Sequence, residues 1–168
     1  MSIIDEPPGA ALDVGAGSLN SSRHLLSAGY TVHAVDPDPY IVDLASDLDD
    51  PRLTVHCADI QETTIAEGAF DLVVALHVLH LLPRRELHTL MPRLVRGLKA
   101  DGMLCATFIG LRDTWARTPW RATALHRDEV YELLSGLNMV RFDELEYDGA
   151  NVLGQPKHWH TLRCLFRR

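Results

Sequence analysis

Little in this chain favours a membrane span, a nucleic-acid partner or a disulfide scaffold. No apolar run approaches the roughly 18 residues needed to cross a bilayer. The N-terminal MSIIDEPPGAALDV has neither the basic start nor the long apolar core of a signal peptide. Cysteine is scarce: Cys57, Cys105 and Cys164 are odd in number and far apart, and each falls in a predicted strand. They therefore read as buried, reduced thiols of a cytoplasmic protein. Basic residues are few against acids, 16 to 23, and the net charge of -7 argues against a phosphate-backbone ligand. The basic pairs Arg84-Arg85 and Arg167-Arg168 are short and carry no interleaved aromatics. No GxSxG follows a strand and no phosphate-binding P-loop string occurs, which removes the serine-hydrolase and P-loop readings. No repeat or low-complexity segment breaks the chain, so residues 1–168 are expected to form a single domain with a small neutral or anionic substrate.

What the sequence does have is concentrated between Ala10 and Asp38. Residues 10–14 are apolar except for Asp13, the pattern of a buried parallel strand, and Gly15 and Gly17 follow as a turn. Gly15 can take a backbone conformation closed to other residues, and Gly17 lets a ligand approach the main chain. From Leu19 the spacing becomes helical, with Leu25, Leu26 and Ala28 on one face, Asn20 or Ser21 available as cap and Gly29 as stop. Residues 31–35 form the next strand, which ends in Asp36, where a carboxylate accepts two hydrogen bonds from a ribose diol. In an open α/β sheet this arrangement places an adenosine-type ligand across the carboxyl ends of the two strands. The third glycine of the dinucleotide fingerprint is replaced by Asn20, and Asp13 would repel a pyrophosphate while suiting a ligand end that carries an ammonium group.

Further along, Pro39 suits the first turn of a helix over 40–48, residues 52–57 alternate as a strand, and Ala58, Asp59 and Ile60 follow. Residues 70–76 read as a strand buried on both faces. A helix over 84–99 carries the apolar stripe Leu87, Leu90, Met91, Leu94, Val95 and Leu98, with Pro92 expected to bend it and Ala100-Asp101-Gly102 to stop it. Residues 103–109 form another strand. The polar stretch 110–123, without clear period, holds Trp115 and Trp120. A helix over 126–137 and strands over 139–147 and 158–168 complete the chain.

The strings LDVGAG (12–17) and AVDPD (34–38) together resemble the first two motifs of class I S-adenosylmethionine-dependent methyltransferases. RLVRGLKADGMLCATF (93–108) resembles that family's "L..L.R.LKPGG.L" element, with Ala100 and Asp101 in place of the usual Pro-Gly. The resemblance implies an α/β, doubly wound, Rossmann-like fold: a mostly parallel seven-stranded sheet with an antiparallel last strand and helices on both faces. Members usually carry one or two helices before the first strand, and these are missing here. The pocket is then unusually open or closed by another chain, which makes a homodimer possible. The implied cofactor is S-adenosylmethionine. Asp13, Gly15 and Gly17, with Ala16, would hold its methionine part, and Asp36, with Pro37, its ribose. Asp59 would accept from the adenine amino group, Ile60 would cover the ring, and Leu76 and His77 would floor the pocket. The turn followed by Asn20, Ser21 and Ser22, and the C-terminal QPKHWHTLRCLFRR, are similar to the small tellurite-resistance and thiol-type methyltransferases. ALHVLH stands where DNA adenine or RNA amino methylation would want an NPPY-like string.

Methyl transfer from a sulfonium is an in-line displacement for which holding the acceptor in place can suffice. An oxygen or nitrogen acceptor would gain from a base, and His77 and His80 are the catalytic candidates, although either can equally hydrogen-bond a main-chain carbonyl. Trp115 and Trp120 are candidates for the substrate wall, apolar or cation-binding, or simply pin their loop to the core. His158 and His160, two apart on one strand, share a face. With His56 or His33 they would suit a metal, but no Cys or carboxylate recurs at ligand spacing beside them, so no metal is assigned. A nicotinamide-dependent oxidoreductase on the same sheet fails on Asn20 and on the absence of a Tyr-Lys pair. A non-catalytic relative that binds S-adenosylmethionine or a partner stays open on the altered KADG turn and the missing front helices.

Overall fold

The computed structural model describes residues 9–117, 122–151 and 153–168. Strands β1 (Ala10–Val14), β2 (Thr31–Asp36), β3 (Leu53–Cys57) and β4 (Phe70–Ala75) are parallel to one another and joined by right-sized crossovers. Helix α1 (Asn20–Ser27) links β1 to β2, and α2 (Tyr40–Leu48) links β2 to β3. After β4 come α3 (Arg84–Gly97), β5 (Leu98–Gly110), the two-residue β6 (Ala124–Leu125), α4 (Arg127–Leu133), β7 (Asn138–Ala150) and β8 (Pro156–Arg167). The strand order is β3-β2-β1-β4-β5-β8-β7, and β8 is antiparallel to both of its neighbours.

The apolar residues alternate between two faces, as period-two strands require. Leu12, Val14, Val73, Ala75, Leu104, Ala106, Phe108, Leu162 and Cys164 pack against Leu87, Leu90, Met91 and Leu94 of α3 and Val130 of α4. Ala11, Val32, Leu72, Val74, Met103 and Leu165 face Leu25 and Leu26 of α1. The same face carries a groove of about 290 Å³ bordered by Leu76, Cys105, Thr107, Arg163 and Leu165.

Several local expectations change. The sheet has eight strands among the described residues because β6, just after the stretch that lacked a period, pairs parallel with β5. The KADG segment is not a turn outside the strand. It is a bulge inside β5, where the pairing with β4 shifts register between Phe70 and Leu72 and Asp101 takes φ +64. Helix α1 is capped by neither Asn20 nor Ser21. Leu19, in the left-handed region, stands at its N-cap without a side-chain bond, held there by full burial of its apolar side chain. Ala28 lies beyond the helix and is exposed. Helix α3 runs through Pro92, which lies on the exposed side of the helix, as does His88, whose carbonyl it cannot bond. His126 caps α4 in a capping box with Glu129. Cys57, at the open end of β3, is exposed, because the strand lies at the sheet edge.

Candidate functional site

Strand β1 is flanked on one side by β2 and on the other by β4, so the chain reverses its direction of travel across the sheet at the carboxyl end of β1. A crevice opens at such a point. Gly15 and Gly17 lie in it at φ +67 and +46, conformations that favour glycine. The Gly15 and Ala16 N–H groups donate to the Val35 carbonyl at 2.8 and 3.1 Å. A Cβ at Gly15 would run into the Val78 side chain, whereas one at Gly17 would meet nothing closer than 4.0 Å. The first glycine is therefore a packing requirement, and the second leaves a bare stretch of backbone open to a ligand.

Asp36 clamps this turn. Its Oδ2 accepts from the Gly17 N–H at 2.8 Å and its Oδ1 from the Asp38 N–H at 2.9 Å, leaving further lone pairs on both oxygens. The exposed Asp59 forms its own turn, Oδ1 accepting from the Gln61 N–H at 2.9 Å. Two expected contacts are displaced. Asp13 does not face the crevice: it is 2 % exposed, its carboxylate accepts from the Ser22 hydroxyl at 2.7 Å beneath α1, and burial pushes its pKa up. It props the turn from below because the strand alternation that sends Leu12 and Val14 to one face sends Asp13 inward on the other. Ile60 is already buried in the main core, so it backs the crevice instead of presenting an open apolar surface.

On the other side of the turn, Leu76 and His77 leave β4. His77 takes φ +57 and its N–H donates to the Thr107 hydroxyl at 2.6 Å. Its ring borders the groove beside Arg163, and its pKa is lowered, first by loss of water and then by the Arg163 charge. His80 points elsewhere, into a second cavity of about 420 Å³ lined by Leu81, Trp115, Asn151 and Leu153. Burial lowers its pKa to about 4, aided by His77 and Lys157 and opposed by Asp113. The two histidines expected to act at one place thus border different cavities. A base works best with a pKa near the working pH, so His80 is a poor proton acceptor at neutral pH and a good neutral hydrogen-bonding group.

Residues 12–106 match the family described as "Methyltransferase domain". The chain belongs to this family. Its fold is that of the class I methyltransferases, whose methyl donor is S-adenosylmethionine. Among solved structures, TehB from Haemophilus influenzae is similar with a TM-score of 0.80 at 17% identity, over 96% of this chain and 58% of that one. The 1,6-didemethyltoxoflavin-N1-methyltransferase of Burkholderia thailandensis, solved with 1,6-didemethyltoxoflavin and S-adenosylhomocysteine, gives 0.73 at 20% identity over 96% and 71%. The N-methyltransferase NodS of Bradyrhizobium japonicum WM9, in complex with S-adenosylhomocysteine, gives 0.73 at 21% identity over 95% and 78%. No curated protein matches. Among the described residues, no helix is long and apolar enough to cross a membrane.

The chain has a further buried feature at the same end of the sheet. Lys157, its side chain 1% exposed, forms an ion pair with the fully buried Asp113. Its ammonium lies 4.3 Å from the Trp115 ring centre and 4.0 Å from that of Trp159. Asp113 also accepts from the N–H groups of Trp115 and His160, at 2.9 and 3.0 Å. The cation held by indoles is therefore the chain's own. Trp120 lies outside the described residues. Sequence reasoning missed this cluster, since Asp113 carries no local mark and Lys157 lies 44 residues away; the only signal was Lys157 and Trp159 spaced two apart on one strand. His158 and His160 are engaged across the hairpin with Asp148, Glu146 and Glu144, and with Arg112, while His33 pairs with His56. Among the described residues, no group of three or more His, Cys, Asp or Glu side chains is placed to hold a metal ion.

Proposed function

We propose that this protein transfers the methyl group of S-adenosylmethionine to a small-molecule acceptor, with the cofactor lying in the crevice between the glycine turn and Asp36. The observation that carries this reading is the bare backbone at Gly17, bonded to a carboxylate at the end of the neighbouring strand and placed at the switch point of the sheet. Asp36 would accept from the ribose hydroxyls with the lone pairs its backbone bonds leave, the turn at Gly15, Ala16 and Gly17 would border the methionine part, and Asp59 would meet the adenine amino group. Pro37 and Leu76 would line the same crevice. Asp13 takes the role of a support beneath the turn.

When bound, the cofactor supplies an electrophilic methyl on a cationic sulfur. The chain's own part is to exclude water and orient the acceptor, which the burial of His80 and the half-burial of Trp115 favour. His77 lines the groove beside Leu76 and would serve as a base only for an acceptor reaching that groove, whereas His80 holds a proton too weakly to act as one. The three unpaired cysteines suit a reducing, cytoplasmic setting. The test is incubation with methyl-labelled S-adenosylmethionine and panels of thiol, amine, hydroxyl and carboxyl acceptors. Labelled product from at least one panel, lost in Asp36→Ala, supports the reading. Tight cofactor binding with no product from any panel would favour a binding protein without catalysis.

A further inference from the structure

His80 is 4 % exposed, yet neither of its ring nitrogens bonds to any described residue. Among the described residues, no side-chain nitrogen or oxygen is both fully buried and unpartnered. The sliver of His80 still open therefore includes its nitrogens, and the opening is the 420 Å³ cavity it lines, within the size range of small-molecule sites. A ring nitrogen that opens onto a mostly apolar cavity is the kind of polar group that orients a small guest there.

The rest of the cavity restricts what that partner is. Trp115 tilts against the His80 ring with centres 5.4 Å apart, and Leu81 and Leu153 form an apolar rim, 68% and 77% exposed. Asn151 and Gln155, the other polar lining residues among those described, are tied to each other and to the hairpin backbone: Asn151 Nδ2 donates to Gln155 Oε1 at 3.0 Å, and Asn151 Oδ1 accepts from the N–H groups of Leu153 and Gln155. A cationic guest is disfavoured, because the ammonium of Lys157 already lies on Trp115 and Trp159 and would repel a second positive charge. Its own charge is met by Asp113, so Lys157 is not left free to draw in an anion.

We propose that this cavity receives a flat, uncharged aromatic molecule whose O–H or N–H hydrogen-bonds to the His80 imidazole while its ring lies against Trp115. This deepens the reading of the protein as a methyltransferase by naming the acceptor class. The Lys157–Asp113 pair acts as a positioning element: Asp113 fixes the Trp115 backbone, and Lys157 fills the far side of the cage. The hydroxyl or amine of the guest bonds to a His80 nitrogen that opens onto the cavity, and the indole supplies stacking that the leucine rim shields from water.

The probe is 2-naphthol, with naphthalene, 2-naphthoate and the 2-naphthyltrimethylammonium ion as comparisons, titrated into the full chain with and without S-adenosylhomocysteine and followed by tryptophan fluorescence. Wild type should bind 2-naphthol at least tenfold more tightly than either charged analogue. His80→Phe should lose about tenfold for 2-naphthol, the loss expected for one hydrogen bond to a buried partner, while binding naphthalene as before. Trp115→Leu should weaken both. In wild type, 2-naphthol but not naphthalene should shift the His80 imidazole nitrogen resonance, a readout that stands even if a variant misfolds. Equal affinity for the cation, an unchanged 2-naphthol affinity in His80→Phe, or no binding would each overturn the proposal. Failure of S-adenosylhomocysteine to bind wild type would instead overturn the methyltransferase reading, whatever the naphthol result.

Discussion

Replacing Asp36 by alanine removes one carboxylate with two structural duties and one proposed ligand duty. Its oxygens hold the Gly17 and Asp38 N–H groups at 2.8 and 2.9 Å, so the substitution loosens the glycine turn, and both bonds are exposed enough for water to replace much of what is lost. The proposed ribose contact is the larger loss. A hydrogen bond to a charged group contributes about 1.5 to 3 kcal/mol, which is roughly a 10- to 150-fold weaker affinity. Calorimetric titration of S-adenosylhomocysteine into wild type, Asp36→Ala and Asp36→Asn separates the duties. The asparagine oxygen can still accept from Gly17, its amide nitrogen cannot accept from the exposed Asp38 N–H, which water then meets, and the charge is gone. Asp36→Asn should therefore melt near the wild-type temperature yet bind about tenfold more weakly, and Asp36→Ala should fall at least as far. An Asp36→Ala protein that binds within twofold of wild type would refute the reasoning, because no other described carboxylate is bonded to the glycine turn.

Gly15→Ala should destabilise by about 2 to 5 kcal/mol in urea denaturation, combining the cost of a left-handed Ala with overpacking against Val78. Lys157→Met should cost about 3 to 5 kcal/mol by the same assay, because it strands the Asp113 charge in the interior, and Lys157→Met/Asp113→Asn should recover part of that loss. His80 titrates near 6.5 when unfolded and about 4 when folded, so the unfolded chain binds the extra proton between those values. Stability should be intact above pH 6.5 and fall by up to about 3 kcal/mol as the pH drops to 4, a slope that melting curves of His80→Phe should lack. Glu146, held down to about 2 by Arg112 and then His158, should keep its contribution above its unfolded value near 4.5 and lose it only as the pH falls towards 2; Arg112→Ala should move that loss upward in an NMR titration.

The fold was readable because its signals are local. Residues 10–36 carry strand, glycine turn, helix and strand in one uninterrupted pattern, and the elements fall where the pattern puts them. The ends of elements were less readable. The KADG segment looks like a stop because Gly and Asp favour turns, but its pairing with β4 resumes on both sides, so a bulge results. The position of Asp36 at the end of β2 could be read from spacing, whereas the fate of Asp13 depended on which face of β1 it occupies and on Ser22, nine residues on. His77 and His80, three residues apart, seemed a natural pair. The left-handed residue at 77 and the short turn at Leu79–Leu81 send their rings to separate cavities. The Lys157–Asp113 pair was illegible for a different reason: it is a tertiary contact between a loop after β5 and the start of β8, and neither segment encodes the other.

The most direct measurement is a crystal structure of the protein with S-adenosylhomocysteine. The account predicts the ribose hydroxyls on the Asp36 carboxylate, the adenine beside Asp59, and the sulfur on the β4 side of the turn near Leu76 and His77. A nucleoside found away from the carboxyl ends of β1 and β2, or an Asp36 still bonded only to Gly17 and Asp38 with no sugar within reach, would contradict it.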